Sequence, residues 1–195
     1  MNLANRITIA RMLLIPLFML AYQPYPPWLV EKLPVLSAVN DYGAYIAALV
    51  FVIAAATDKL DGYVARTYNQ VTNLGKLLDP LADKLLIAAA LVLLVQRGVI
   101  PSWIAVAIIG RELLVSYIRI RAASQRVVLA ADRHGKIKLV VQVVAITAAL
   151  LGNFPFSFVT SFDISLAMMI AAVAVTLYSG YLYIANNMTV LQLRP

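Results

Sequence analysis

Between Asp58 and Asp83 the chain reads Asp58-x-x-Asp61-Gly62-x-x-Ala65-Arg66, eight further residues, then Gly75-x-x-x-Asp79-x-x-x-Asp83. Four of the nine acidic residues fall in this stretch. Asp58 and Asp61 are three apart, Asp79 and Asp83 four apart, so on helices each pair shares a face. If the two helices are antiparallel neighbours, all four carboxylates converge. At about 5 Å and an effective dielectric of about 20, each like-charge pair costs roughly 3 kcal/mol. Either some are protonated or cations sit among them. The chain has no cysteine, and His134 is its one histidine, set among basic residues as a solvated side chain would be. Oxygen-only donors suit a hard divalent ion such as Mg²⁺ or Mn²⁺. Two such ions, about 3.5–4 Å apart, are a standard device for displacement at phosphorus. The plainer reading makes Asp79 a helix cap and pairs Asp58 and Asp61 with Lys59, Arg66 or Lys84. It accounts for any one aspartate better than for four at helix-facing spacing. Gly62, Ala65 and Gly75 are small enough to let helices approach or to let a ligand reach the backbone.

These carboxylates lie between apolar runs. The chain is 63% hydrophobic and 13% charged, against about half and a quarter in a soluble domain. The excess comes as continuous stretches of about 20 residues, the length that spans a bilayer as a helix. Six spans are expected, at about 7–22, 42–65, 79–96, 101–124, 135–151 and 163–187. Pro24, Pro26 and Pro27 break the chain after the first and leave Trp28 in an external loop. Asp79 as N-cap and Pro80 at the first helical position start the third. Gly152-Asn153 closes the fifth. With no repeat or linker, one domain over residues 1–195 is expected. The run after Arg6 and Arg11 lacks a small-residue cleavage site, so it reads as a span rather than a signal peptide. Fourteen of the sixteen basic residues gather on one side of this topology, leaving Lys32 and Arg97 on the other. That asymmetry puts both termini and the carboxylates in the cytoplasm. The net charge of +7 then reflects loops facing anionic lipid rather than nucleic acid.

The eight fixed positions match D-x2-D-G-x2-A-R-x8-G-x3-D-x3-D without a mismatch, and in this the chain resembles the CDP-alcohol phosphotransferase family. The resemblance extends to the six-span architecture. It implies an all-α integral membrane protein with six transmembrane helices in the CDP-alcohol phosphotransferase fold. It implies that Asp58, Asp61 and Asp79 hold a divalent pair, with Asp83 completing the second site and acting as general base. Gly62, Ala65, Arg66 and Gly75 would then contact the cytidine diphosphate part of CDP-diacylglycerol. The acceptor's hydroxyl would attack the β-phosphorus and CMP would leave.

Further motifs bear on the acceptor. Asn5-x-x-Thr8-x-x-Arg11, Gly110-Arg111-Glu112 with Arg119 and Arg121, and Gly135-Lys136-Ile137-Lys138 with Gln142 resemble the phosphatidylglycerophosphate synthase branch. That branch joins CDP-diacylglycerol to sn-glycerol 3-phosphate. Leu139 departs from it, standing where Thr is common. A phosphorylated acceptor needs a compact cationic pocket, and Arg111, Arg119, Lys136 and Lys138 are the candidates. The competing reading makes them topology anchors or snorkelling stems, and it fits Arg121, Arg126 and Arg133 better. Arg111 and Glu112 are adjacent, so they should not face each other, and each needs another partner.

Three rivals remain: a relative using inositol phosphate or phosphatidylglycerol as acceptor, a small cation channel or transporter, and a structural membrane protein with a dimer interface. An ion path needs polar groups through the membrane's depth, and spans one, five and six offer few. The structural protein leaves the anionic cluster unexplained. The expected setting is a bacterial inner or plasma membrane, with membrane lipid and a second copy of the chain as partners.

Overall fold

The computed structural model describes the backbone of residues 3–67, 73–124, 134–158, 160 and 162–187. Of these, the side chains of 3–7, 58–67, 73–81, 123–124, 134, 136 and 157 lie outside the description. The described residues form α-helices and one short 3₁₀ helix, with no strand among them. In chain order the helices are α1 (Leu3–Tyr22), α2 (Pro27–Lys32), α3 (Val35–Thr67), α4 (Asn73–Gln96), α5 (Ser102–Ser124), α6 (His134–Leu150) and α7 (Ile164–Asn187). The 3₁₀ turn Phe156–Phe158 lies between α6 and α7.

Local chemistry explains several boundaries. Gly98, at φ 70°, ends α4. Val99 N–H donates to the Leu94 carbonyl and Gly98 N–H to that of Val95, both at 2.9 Å, the paired bonds of a left-handed C-cap. Gly152, at φ 61°, closes α6 in the same way. Asp163 caps α7, its Oδ1 accepting from Leu166 N–H at 3.0 Å.

Three expectations need correction. The proline-rich loop after α1 contains α2, with Pro27 at its first turn, where the missing N–H costs nothing. Helix α3 starts at Val35, seven residues before Tyr42. Its polar Asn40 turns outward and clamps the preceding loop, donating to Tyr25 O at 3.0 Å and accepting from Tyr25 N at 2.9 Å. Helix α4 spans Asn73–Gln96, so Asp79-Pro80 lies inside it rather than at its N-terminus. A proline there removes one helical hydrogen bond, which helices packed in a membrane tolerate. Gly75, Asp79 and Asp83 consequently occupy one stripe of a single helix, one turn apart.

Helix α1 packs against α3 and α4, α6 against α7 and α3, and α5 against α7. One contiguous core joins them, with Phe18, Phe51, Leu94, Ile104, Ile146 and Met169 buried. Outward faces are apolar too: Leu13, Val106, Ile120 and Tyr181 are each at least 66% exposed. Such a surface suits lipid better than water. Val35–Thr57 and Ile164–Asn187 are long and apolar enough to cross a membrane, and Thr8–Tyr22 and Ile137–Leu150 are shorter apolar helices. Helix α5 carries Arg111, Glu112, Arg119 and Arg121 along its length, which sets it apart from these apolar helices.

The bundle has two distinct ends. At one, Arg97 stacks over the Tyr22 ring at 4.8 Å, Tyr45 meets Phe154, and Asn153 accepts from Ser165 N–H. At the other lie the charged side chains.

Candidate active site

Arg11 anchors the charged end. It has no exposed side-chain surface, and its Nη1 donates to Asp83 Oδ1 at 2.6 Å. Its Nε reaches Thr57 Oγ1 at 3.4 Å. Three helices are thereby tied at one level: α1 through Arg11, α3 through Thr57, and α4 through Asp83. This fixes the register of the carboxylate motif. Asp58 follows Thr57 directly. Asp61 lies one turn further along α3, and Asp79 one turn before Asp83 on α4, in the same direction along the bundle. Gly62, Ala65 and Arg66 fall in the last turns of α3, and Gly75 in the first turn of α4. The side chains of Asp58, Asp61, Gly62, Ala65, Arg66, Gly75 and Asp79 lie outside the described set. Among described residues no three acidic or histidine side chains cluster. What fits a divalent ion is the donor set: carboxylates two to a helix, on packed neighbouring helices, with no nitrogen or sulfur donor among them.

Beside Asp83 opens a cavity of about 160 Å³ lined by Asp83, Lys84, Ile87, Glu112, Arg119, Lys138, Leu139 and Gln142. Of the sequence candidates for a cationic pocket, Arg119 and Lys138 line it. Arg119 lies over the Tyr183 ring at 5.7 Å. Lys138 is buried, with its Nζ 2.5 Å from Glu112 Oε1. Arg111 stands apart from the lining, behind Glu112. Its Nη2 donates to Ser179 Oγ at 3.0 Å and its Nη1 to Glu112 Oε1 at 3.2 Å. Its Nε is buried without a hydrogen-bond partner. The expectation that Arg111 and Glu112 do not meet is corrected: the long arginine folds back onto its neighbour, and each side chain also has the second partner that was expected. Lys136 lies in the first turn of α6 with its side chain outside the description. Arg126 and Arg133 lie outside the described residues altogether.

Sequence reasoning missed Lys84 and Arg11 as parts of this site. Lys84 lines the cavity and donates to Ser116 Oγ, which in turn donates to the Glu112 carbonyl at 2.5 Å. Lys84 had been read only as a partner for Asp58 or Asp61, and Arg11 only as the end of the opening motif, because just their contacts reveal these roles. The expected scarcity of polar groups in the last helices also fails. Thr176, Ser179 and Tyr183 form a buried stripe on α7, and Gln142 on α6 donates to Thr176 Oγ1 at 2.7 Å. Their spacing of three and four residues was the available signal.

A second cavity of about 160 Å³ lies between α4 and α5, lined by Lys84, Leu85, Ile87, Ala88, Ile108, Ile109, Glu112 and Leu113. It is apolar except where Lys84 and Glu112 separate it from the first.

The sequence model of the CDP-alcohol phosphatidyltransferase family matches residues 1–178. The chain is 44% identical over 186 residues to a CDP-diacylglycerol–glycerol-3-phosphate 3-phosphatidyltransferase of Bacillus subtilis strain 168, covering 95% of both chains. A protein of the same name from Rickettsia felis is 33% identical over 182 residues, 93% of each chain.

Proposed function

The chain belongs to the CDP-alcohol phosphatidyltransferase family, and on that premise we propose that it transfers the phosphatidyl group of CDP-diacylglycerol to sn-glycerol 3-phosphate. The products are phosphatidylglycerophosphate and CMP. The observation that carries this reading is the cavity in which Asp83 faces the same space as Lys84, Arg119 and Lys138. A proton acceptor and a phosphate-sized group of cations are there together.

The acceptor's phosphate binds Lys138, Arg119 and Lys84, with Lys136 as a further cation, and this orients its hydroxyl toward Asp83. The hydroxyl oxygen bonds to the β-phosphorus and the bond from that phosphorus to the CMP oxygen breaks. Asp83 takes the hydroxyl proton, held in place by Arg11. Arg66, with Gly62, Ala65 and Gly75, positions the cytidine diphosphate. Asp58, Asp61, Asp79 and Asp83 would hold two Mg²⁺ or Mn²⁺ ions, which when bound neutralise the pyrophosphate and stabilise the leaving group. The six long helices are read as six spans, with termini and site in the cytoplasm and the chain as a homodimer in membrane lipid.

The test is CMP release from CDP-diacylglycerol by purified protein, with a panel of acceptors. Glycerol 3-phosphate should react well and free glycerol far more slowly, because glycerol brings no charge for Lys84, Arg119 and Lys138 to hold. Equal rates with the two, or preference for inositol phosphate or phosphatidylglycerol, would overturn the assignment.

A further inference from the structure

Glu112 has a position that the transfer reaction does not require. Its Oε1 accepts from Lys138 at 2.5 Å and from Arg111 at 3.2 Å. It lines the cavity itself, whereas Arg111 does not. Arg111 cannot follow Glu112 if the carboxylate moves. Ser179 holds its far nitrogen. A Cβ built on Gly180 would sit 3.0 Å from its Cγ and Nε, so α7 is packed directly against it. Lys138, by contrast, lies on the cavity wall with Arg119 and Lys84 nearby. One anion therefore stands between a fixed cation behind it and a cavity-lining cation in front.

We propose that Glu112 is the resident counter-anion of the acceptor's phosphate site and so sets that site's affinity for phosphate. The inference rests on the reading of this cavity as the acceptor site. Without acceptor, Glu112 holds Lys138 and offsets the mutual repulsion of the lysines and arginine around the cavity. An arriving phosphate takes over the Lys138 ammonium, and Glu112 is left with Arg111. The exchange replaces one carboxylate contact with contacts to a dianion reaching several cations. It is favourable for a phosphate monoester. It is unfavourable for a neutral polyol, which cannot displace a carboxylate, and close to neutral for a monoanion. The carboxylate thus weakens binding of ligands that must take Lys138, a phosphate most, and leaves a ligand that bypasses Lys138 little changed.

The experiment is calorimetric titration of inorganic phosphate into wild type, Glu112→Gln, Glu112→Asp and the Glu112→Gln/Lys138→Gln double variant, all in lipid nanodiscs. KM and kcat for glycerol 3-phosphate and glycerol are measured alongside. Glutamine keeps the shape and one acceptor for Lys138 but not the charge. Phosphate should bind Glu112→Gln about tenfold tighter, the low end of what one charge-assisted bond is worth. Glu112→Asp, whose shorter arm draws the charge back from Lys138, should fall between. The double variant should lose the gain. The preference for glycerol 3-phosphate over glycerol should grow in Glu112→Gln, while the KM for CDP-diacylglycerol stays constant and reports an intact fold. Unchanged or weaker phosphate binding in both single variants, with that donor KM preserved, would overturn the proposal and leave Glu112 a brace for Lys138. If wild type neither binds phosphate nor uses glycerol 3-phosphate, the acceptor-site reading itself fails, and this inference with it.

Discussion

An arginine without exposed side-chain surface, such as Arg11, has to be held by a counter-charge, because an unpaired charge at that depth is expensive. Asp83 supplies it, and so joins the proposed chemistry to the packing of α1. Arg11→Lys keeps the charge but loses the planar fork that reaches Asp83 and Thr57 together. Losing one charge-assisted contact of about 1.5–3 kcal/mol should lower turnover roughly 10- to 150-fold, measured as CMP release at saturating donor. Asp83→Asn still offers Arg11 an oxygen, so folded protein is expected, with turnover reduced far more than donor affinity. A loss confined to donor affinity would remove Asp83 from the role of base. Asp58→Asn, Asp61→Asn and Asp79→Asn should each abolish turnover, as should EDTA, with recovery on adding Mg²⁺ or Mn²⁺. Full activity in any two of these variants, or in EDTA, would end the metal reading. In the sequence, Arg11 ended the Asn5-x-x-Thr8-x-x-Arg11 motif and counted among the charges of the basic side. What it lacked was any sign of its partner, 72 residues away along the chain.

At the scale of elements, hydropathy located helices better than it located their ends. The stops at Tyr22 and Gln96 were legible, the second from the Gln96-Arg97-Gly98 cap. The starts of α3 and α4 were not. A helix begins where its backbone bonds begin, and neither Asn40 nor Pro80 prevents that. Pro80 is ambiguous in sequence, since a first-turn proline and an interior one look alike. The cost of that error is instructive, because an α4 begun at Asp79 separates Gly75 from the two aspartates that share its stripe. The α1–α3 contact gives a direct test. A Cβ on Gly43 would lie 2.3 Å from the Ala21 carbonyl oxygen, a backbone atom with no freedom to yield. Gly43→Ala should therefore destabilise the protein by about 1–3 kcal/mol, the usual penalty for overpacking, seen as a lower unfolding temperature in detergent. KM values should be unchanged, because Gly43 lies at the end away from the cavity.

For the molecule as a whole, the charge asymmetry makes a prediction about sidedness. The chain has no native cysteine, so single cysteines can be introduced without background. In intact cells, Lys32→Cys and Arg97→Cys should react with an impermeant maleimide added outside. Arg121→Cys, at the end of α5, should react only after the membrane is opened. External labelling of Arg121→Cys would invert the topology. The polar interior was only half legible. The aspartate motif announces itself by fixed spacing, whereas the cavity is built from side chains on α4, α5 and α6 that no spacing links.

Lys84, Ile87 and Glu112 form a wall common to the apolar cavity and the charged one. On the proposed reaction, the charged side of that wall takes its acceptor from the cytosol while the donor arrives from the bilayer, so two scales of concentration meet in one site. The donor is counted as a mole fraction of the bilayer, and the acceptor as molarity in the cytosol. A cell that enlarges its membrane without making more donor dilutes only the first. The enzyme then slows without any effector binding to it, and its output follows the lipid composition of the surface rather than the volume of the cell.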